Sequence, residues 1–109
     1  MITIEQLKDV MARIDALHHY LNIDKKKIEF EEEQLRTQAP DFWEYADRAR
    51  EQMKKVKGIE KWLKGYNNVR SQAEELQLAF DFYKDELVTE EEVDHVYKKV
   101  ITDIESLEL

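Results

Sequence analysis

Thr37-Gln38-Ala39-Pro40-Asp41-Phe42-Trp43 decides the fold, because it holds the only proline of a 109-residue chain. Charged, helix-favouring sequence flanks it on both sides. Proline lacks a backbone donor and drives the residue before it, here Ala39, out of helical geometry. The junction therefore marks where one long helix stops and another begins. Asp41 is placed to cap the second helix, with Glu44 at the capping-box spacing. Phe42 and Trp43 are expected to plug the end of the bundle where the chain turns.

Towards the N-terminus, Thr3 and Gln6 have the spacing of a capping box. Leu7, Ile14, Leu21, Ile28 and Leu35 fall seven apart, and Val10 and Leu17 fill the second seam position. Sustained heptads predict an apolar stripe packed at coiled-coil angles. Asn22-Ile23-Asp24 offers a break, with Asp24 as a new cap. Lys25, Lys26 and Lys27 would then sit against the positive end of a new helix. The unbroken register favours a continuous or merely kinked helix to about Arg36.

Beyond the junction the apolar steps are almost all three or four: Ala49, Met53, Val56, Ile59, Leu63, Tyr66, Val69, Ala73, Leu76, Phe80, Tyr83, Leu87. They predict one helix of about 45 residues, about 65–70 Å long. Gly58 and Gly65 lie inside it and mark a gentle bend or a close helix contact. Thr89 and Glu92 form a second capping box, and Val93, Val96, Val100, Ile104 and Leu107 form the stripe of a last helix. The short window around Val88 reverses the chain, so that helix runs antiparallel to the end of the long one. The expected fold is all-α: an antiparallel helical bundle or coiled coil of three or four long helices, one domain over residues 1–109.

Composition agrees. Two glycines and one proline leave few turns, while 39% of residues are charged and 42% hydrophobic, as in a helical bundle. The absence of cysteine excludes disulfides and thiolate metal sites and fits a reducing cytoplasm. No apolar run approaches the ~18 residues of a membrane helix, so a cytoplasmic protein with no membrane partner is expected. Net charge is -8 but unevenly placed. Arg48 to Lys64 holds seven Lys/Arg against two Glu, whereas Asp81 to Glu108 holds ten Asp/Glu against three Lys.

Catalytic chemistry finds no constellation. Glu92-x-x-His95 has the spacing of carboxylate-bridged metal bundles, but such sites need a second motif and further inward glutamates, and Glu92 has a capping role. His18 and His19 are adjacent and so face different sides of a helix. Ser71 and Ser106 have no histidine at hand, and there is no phosphate-binding glycine loop. No catalytic residue, metal ligand or cofactor site is expected. Arg50, Lys54, Lys57, Lys61 and Lys64 step by four, three, four and three, making one basic stripe offset from the apolar seam. The stripe is either a solvated face neutralised by its neighbours or a row that tracks RNA phosphates. Trp43 and Trp62 read as packing residues or as binding hot spots.

Three stretches together resemble the N-terminal helical domain of bacterial peptide chain release factor 2. They are Leu17-His18-His19-Tyr20-Leu21-Asn22-Ile23-Asp24-Lys25-Lys26-Lys27, then Ala39-Pro40-Asp41-Phe42-Trp43 followed by Ala46 and Ala49, and the closing Ile104-Glu105-Ser106-Leu107-Glu108-Leu109. The similarity runs from Ile4 onward. The Pro40-Asp41-Phe42-Trp43 junction is its most specific piece. His18 and His19 stand where the family usually has arginines, and Asn22 where it has aspartate. The resemblance implies translation termination at UGA and UAA. The family reads the codon through a Ser-Pro-Phe loop and promotes peptidyl-tRNA hydrolysis through a Gly-Gly-Gln loop, and neither tripeptide occurs here. It implies a docking domain without catalysis of its own. Its implied partners are the stalk base of the large ribosomal subunit (RNA and protein), the recycling GTPase release factor and the remaining domains of the same factor. The competing expectation is an antiparallel coiled-coil adaptor with no ribosome role. A metal-dependent bundle enzyme is a third, and it would bind metal tightly at His95.

Overall fold

In the computed structural model, which describes residues 1–109, Thr3 opens the first helix as its spacing predicts. Its hydroxyl accepts from the Gln6 N–H at 3.1 Å, and the Gln6 side chain accepts from the Thr3 N–H at 2.8 Å. Helix α1 runs Ile4–Tyr20, α2 Ile23–Arg36, α3 Ala46–Lys84 and α4 Glu90–Glu108, with one 3-10 turn at Phe42–Glu44 and no strand. The fold is the expected all-α bundle. Its extents are 60 × 24 × 19 Å, and the length is set by α3, whose 39 residues give about 58 Å at 1.5 Å per residue.

The helices form two unequal parts. Contacts along α3 run in opposite order to those along its neighbours. Gln72 and Asn68 of α3 donate to Asp103 of α4 at 2.6 and 3.2 Å, while Tyr83 donates to Glu90 at 2.9 Å. Helices α3 and α4 are therefore antiparallel. Helices α1 and α4 run side by side in the same direction: the Ile2 N–H donates to Asp94 at 3.0 Å, and Arg13 grips Glu108 with bonds of 3.0 and 2.6 Å. Helix α1, the C-terminal half of α3 and α4 enclose one core, in which Leu7, Val10, Val69, Leu76, Val93, Val100 and Ile104 are fully buried. The N-terminal half of α3 pairs with α2, as a two-helix arm joined at its tip by the 3-10 turn.

The first helix is broken, contrary to the continuous helix expected to Arg36. Asn22 adopts the left-handed conformation, φ 51° and ψ 52°, a geometry asparagine tolerates better than most residues. Of the three lysines that argued against a new helix, Lys26 acts on the old one. The Lys26 ammonium reaches back to the Leu21 carbonyl, placing its charge at the negative end of α1. Asp24 does not cap α2. Instead it faces His18 Nε2 at 3.4 Å across the break.

The break also re-phases the seam. Leu21 and Asn22 leave the helix, so the buried face of α2 moves on by two residues. Ile23 and Glu33 are buried, and Lys26, Phe30 and Thr37 are half-buried. Ile28 and Leu35, expected in the seam, are 59% and 64% exposed. The arm thus carries a carboxylate in its seam. Glu33, 6% exposed, accepts from Gln52 at 2.8 Å and pairs with Lys55 at 3.1 Å. Gln52 also donates to the Glu33 carbonyl at 2.7 Å.

The proline junction turns more slowly than expected. Thr37, Gln38, Ala39, Phe42 and Glu44 each donate a backbone bond to the carbonyl three residues earlier. The chain thus reverses through tight turns rather than one cap. Asp41 precedes the 3-10 turn and its side chain makes no cap bond; α3 starts only at Ala46, after Tyr45. Phe42 and Trp43 do not plug the bundle, because a two-helix arm has no enclosed end. Trp43 is 71% exposed and meets Phe42 edge to face at 4.7 Å.

Helix α3 follows its predicted stripe unbroken from Ala49 to Tyr83. It is shorter than the expected 45 residues, and Leu87 lies beyond it, exposed. Its end is a Schellman motif with glutamate in the glycine position. Glu86 has φ 60°, its N–H donates to the Tyr83 carbonyl at 3.0 Å, and the Leu87 N–H donates to the Phe82 carbonyl at 2.9 Å. The Thr89–Glu92 capping box then opens α4. Of the two glycines, Gly65 packs against Leu107 of α4 and Gly58 faces open space.

Candidate nucleic-acid interface

Arg50, Lys54, Lys57, Lys61 and Lys64 are all exposed on α3. The seam residues Ala49, Val56 and Ile59 turn inward, so helical geometry sends this row outward. Fourteen residues of rise make it about 21 Å long. Its two ends are partly neutralised. Arg50 is held by Asp47, and Lys64 pairs with Glu60 at 3.1 Å. Lys54, Lys57 and Lys61 form no ion pair. Lys55 is turned to the seam, where it and the Gln52 amide depress the Glu33 pKa. The amide hydrogen bond is the larger cause, and Arg36 adds to it.

The structure joins two features that the sequence reading kept apart. Because the 3-10 turn replaces a long cap, Trp43 lies along the start of α3. Trp43, Ala46, Ala49, Arg50, Met53, Lys54 and Lys57 line one groove of about 400 Å3. The floor is apolar and small, the wall is an indole, and the rim is cationic. None of these residues is acidic. Pro40, Asp41 and Phe42 belong to the turns that hold Trp43 there. The available signal was Trp43, Ala46 and Arg50 at steps of three and four, although residue 43 is outside the helix.

A second groove, of about 540 Å3, lies near the other end, between α3 and α4. Leu78, Ala79, Phe82, Val88 and Val96 line it, and Glu75, Glu91 and Glu92 rim it. The charge asymmetry of the sequence thus becomes two apolar grooves of opposite sign, about 35–40 Å apart along α3.

The remaining candidates are dispersed. His95 borders the acidic groove, but the Glu92 carboxylate is engaged by the Thr89 N–H at 3.4 Å. His18 packs edge-on against Tyr66 at 5.4 Å. Ser106 donates to the Thr102 carbonyl, 3.2 Å away. No three His, Asp or Glu side chains converge as metal ligands would. Trp62 is partly exposed beside the seam. No helix is long and apolar enough to cross a membrane. No protein-family model and no curated protein matches the chain.

Proposed function

We propose that this chain is the N-terminal docking domain of a stop-codon-reading peptide chain release factor of the release factor 2 type. It works in the cytoplasm and contacts the stalk base of the large ribosomal subunit. In this reading the chemistry of termination resides in other domains of the factor, and the recycling GTPase is a further partner. The three stretches of sequence resemblance support the family. The observation that carries the docking role is the row of unpaired, exposed lysines Lys54, Lys57 and Lys61 on an unbroken 39-residue helix. Such a row neutralises phosphates, releases counterions and makes binding salt-dependent.

The test is Lys57→Glu with Lys61→Glu. Both side chains are solvated, so circular dichroism should stay that of the native fold. Affinity for ribosomes should fall, and the slope of log affinity against log salt should shrink by about two, one per lost phosphate contact. Unchanged affinity and slope would remove the stripe from the docking surface.

A coiled-coil adaptor has one observation of its own: the apolar groove between α3 and α4, where Leu78 and Phe82 are exposed. Self-association that Leu78→Glu abolishes, without any ribosome affinity, would favour that reading.

A further inference from the structure

We propose that the groove beside Trp43 is a stacking subsite for an unpaired nucleobase of a single-stranded RNA loop. Arg50, Lys54 and Lys57 would hold the flanking phosphates. The proposal rests on the docking reading and specifies what kind of RNA the arm meets.

The aromatic wall is presented rather than packed. Trp43 is 71% exposed, yet the backbone under it is pinned. The Phe42 N–H donates to the Ala39 carbonyl at 3.0 Å and the Glu44 N–H to the Asp41 carbonyl at 3.1 Å. Phe42 braces the indole edge to face at 4.7 Å. A large ring held open to solvent on a short, hydrogen-bonded turn is pre-organised to stack. Ala46 and Ala49 supply a floor without bulk, and Met53 an unbranched, adaptable edge, so a flat ring can enter.

The cations sit where phosphates would follow. Arg50, Lys54 and Lys57 rim the same groove and span about 10 Å of α3. Lys54 and Lys57 are free of carboxylate partners, and Arg50 shares its charge with Asp47. An aromatic platform inside a positive groove is the arrangement by which proteins hold single strands, because every base has a π-face and every nucleotide a phosphate. Duplex RNA does not meet it, since its bases are stacked and its deep groove is closed to side chains. Apart from the stacking indole itself, the lining has no neutral hydrogen-bonding side chain that would read a base edge. The site should therefore discriminate strandedness rather than sequence. The acidic groove at the far end, of similar size but rimmed by Glu75, Glu91 and Glu92, repels phosphate and serves as an internal contrast.

The chain has two tryptophans, so Trp62→Phe leaves Trp43 as the only indole reporter. That protein is titrated with single-stranded oligoadenylate, with an RNA duplex of equal charge and with polyglutamate. Saturable quenching by the single strand, weakened by salt and much smaller with duplex or polyglutamate, is expected. Trp43→Ala should lower affinity for the single strand by about 5- to 100-fold with an unchanged circular dichroism spectrum, and Trp43→Phe should restore most of it. Three results would each overturn the subsite: duplex quenching equal to the single strand, polyglutamate quenching equal to RNA, or a Trp43→Ala protein that binds like the parent. Ribosome binding separates the two proposals. Wild-type affinity in Trp43→Ala, together with loss in the Lys57/Lys61 double variant, sinks the stacking subsite and leaves docking intact.

Discussion

Replacing each helical glycine by alanine gives two different answers from the same chemistry. Both glycines lie inside α3, where glycine costs about 1 kcal/mol relative to alanine. A Cβ at position 58 meets nothing within 4 Å, so Gly58→Ala should realise the whole gain. For a domain of this size, unfolding entropy of about 2.1 cal/mol/K per residue converts 1 kcal/mol into a Tm rise of about 4 °C. A Cβ at position 65 would lie 2.9 Å from Leu107 Cδ2. Leu107 is half-buried near the end of α4 and can rotate away, at an overpacking cost of about 1–3 kcal/mol. Gly65→Ala should therefore be neutral or destabilising. In a Leu107→Ala background the obstruction is gone, and Gly65→Ala should again gain about 1 kcal/mol. Thermal melts followed at 222 nm read the whole cycle. A Gly58→Ala protein that melts lower would refute an unbroken α3 in the arm. Equal gains at both positions would refute the packing of α4 against Gly65.

Leu76 is fully buried in the core shared by α1, α3 and α4, so Leu76→Ala should cost about 2–5 kcal/mol in urea titration; a loss below 1 kcal/mol would mean a looser core. Glu33 ionises below its ordinary value of 4.5 because Gln52 and Lys55 bind the carboxylate. Its contribution is fully present above that value and is lost as pH falls through the lower folded-state value. Wild-type stability should thus drop in acid, and Glu33→Gln should flatten that drop while lowering stability at neutral pH. Identical acid profiles for the two proteins would contradict the assignment.

The architecture was legible where helical periodicity speaks alone. The stripe from Ala49 to Tyr83, the Thr3–Gln6 and Thr89–Glu92 boxes and the reversal near Val88 were all readable as residue spacing. Outside the proline junction, the errors fall where the chain stops a helix without glycine or proline. Asn22 and Glu86 take positive φ, and only the second stop was marked, by the capping box that follows it. At Asn22 the intact heptad of Leu21, Ile28 and Leu35 argued for continuity. A two-residue phase shift leaves that heptad visible in sequence while turning its last two members to solvent. The seam that replaced it contains Lys26, Glu33 and Thr37, which no search for apolar residues would select.

The candidate site divides the same way. Its basic row follows from a period of three and four and was readable. Its aromatic wall was not, because Asp41 looked like the cap of a long helix, which would have buried Trp43 at a bundle end. The 3-10 turn, fixed by backbone bonds that leave no mark in the side-chain pattern, puts the indole beside the lysines instead.

Hydroxyl-radical footprinting of large ribosomal subunits with this chain bound tests the docking proposal most directly. Protection of the stalk-base RNA that weakens with salt, and is lost with Lys57→Glu and Lys61→Glu, is the result the account predicts. Absence of protection at concentrations where the chain is folded, or protection confined to another region of the subunit, would contradict it.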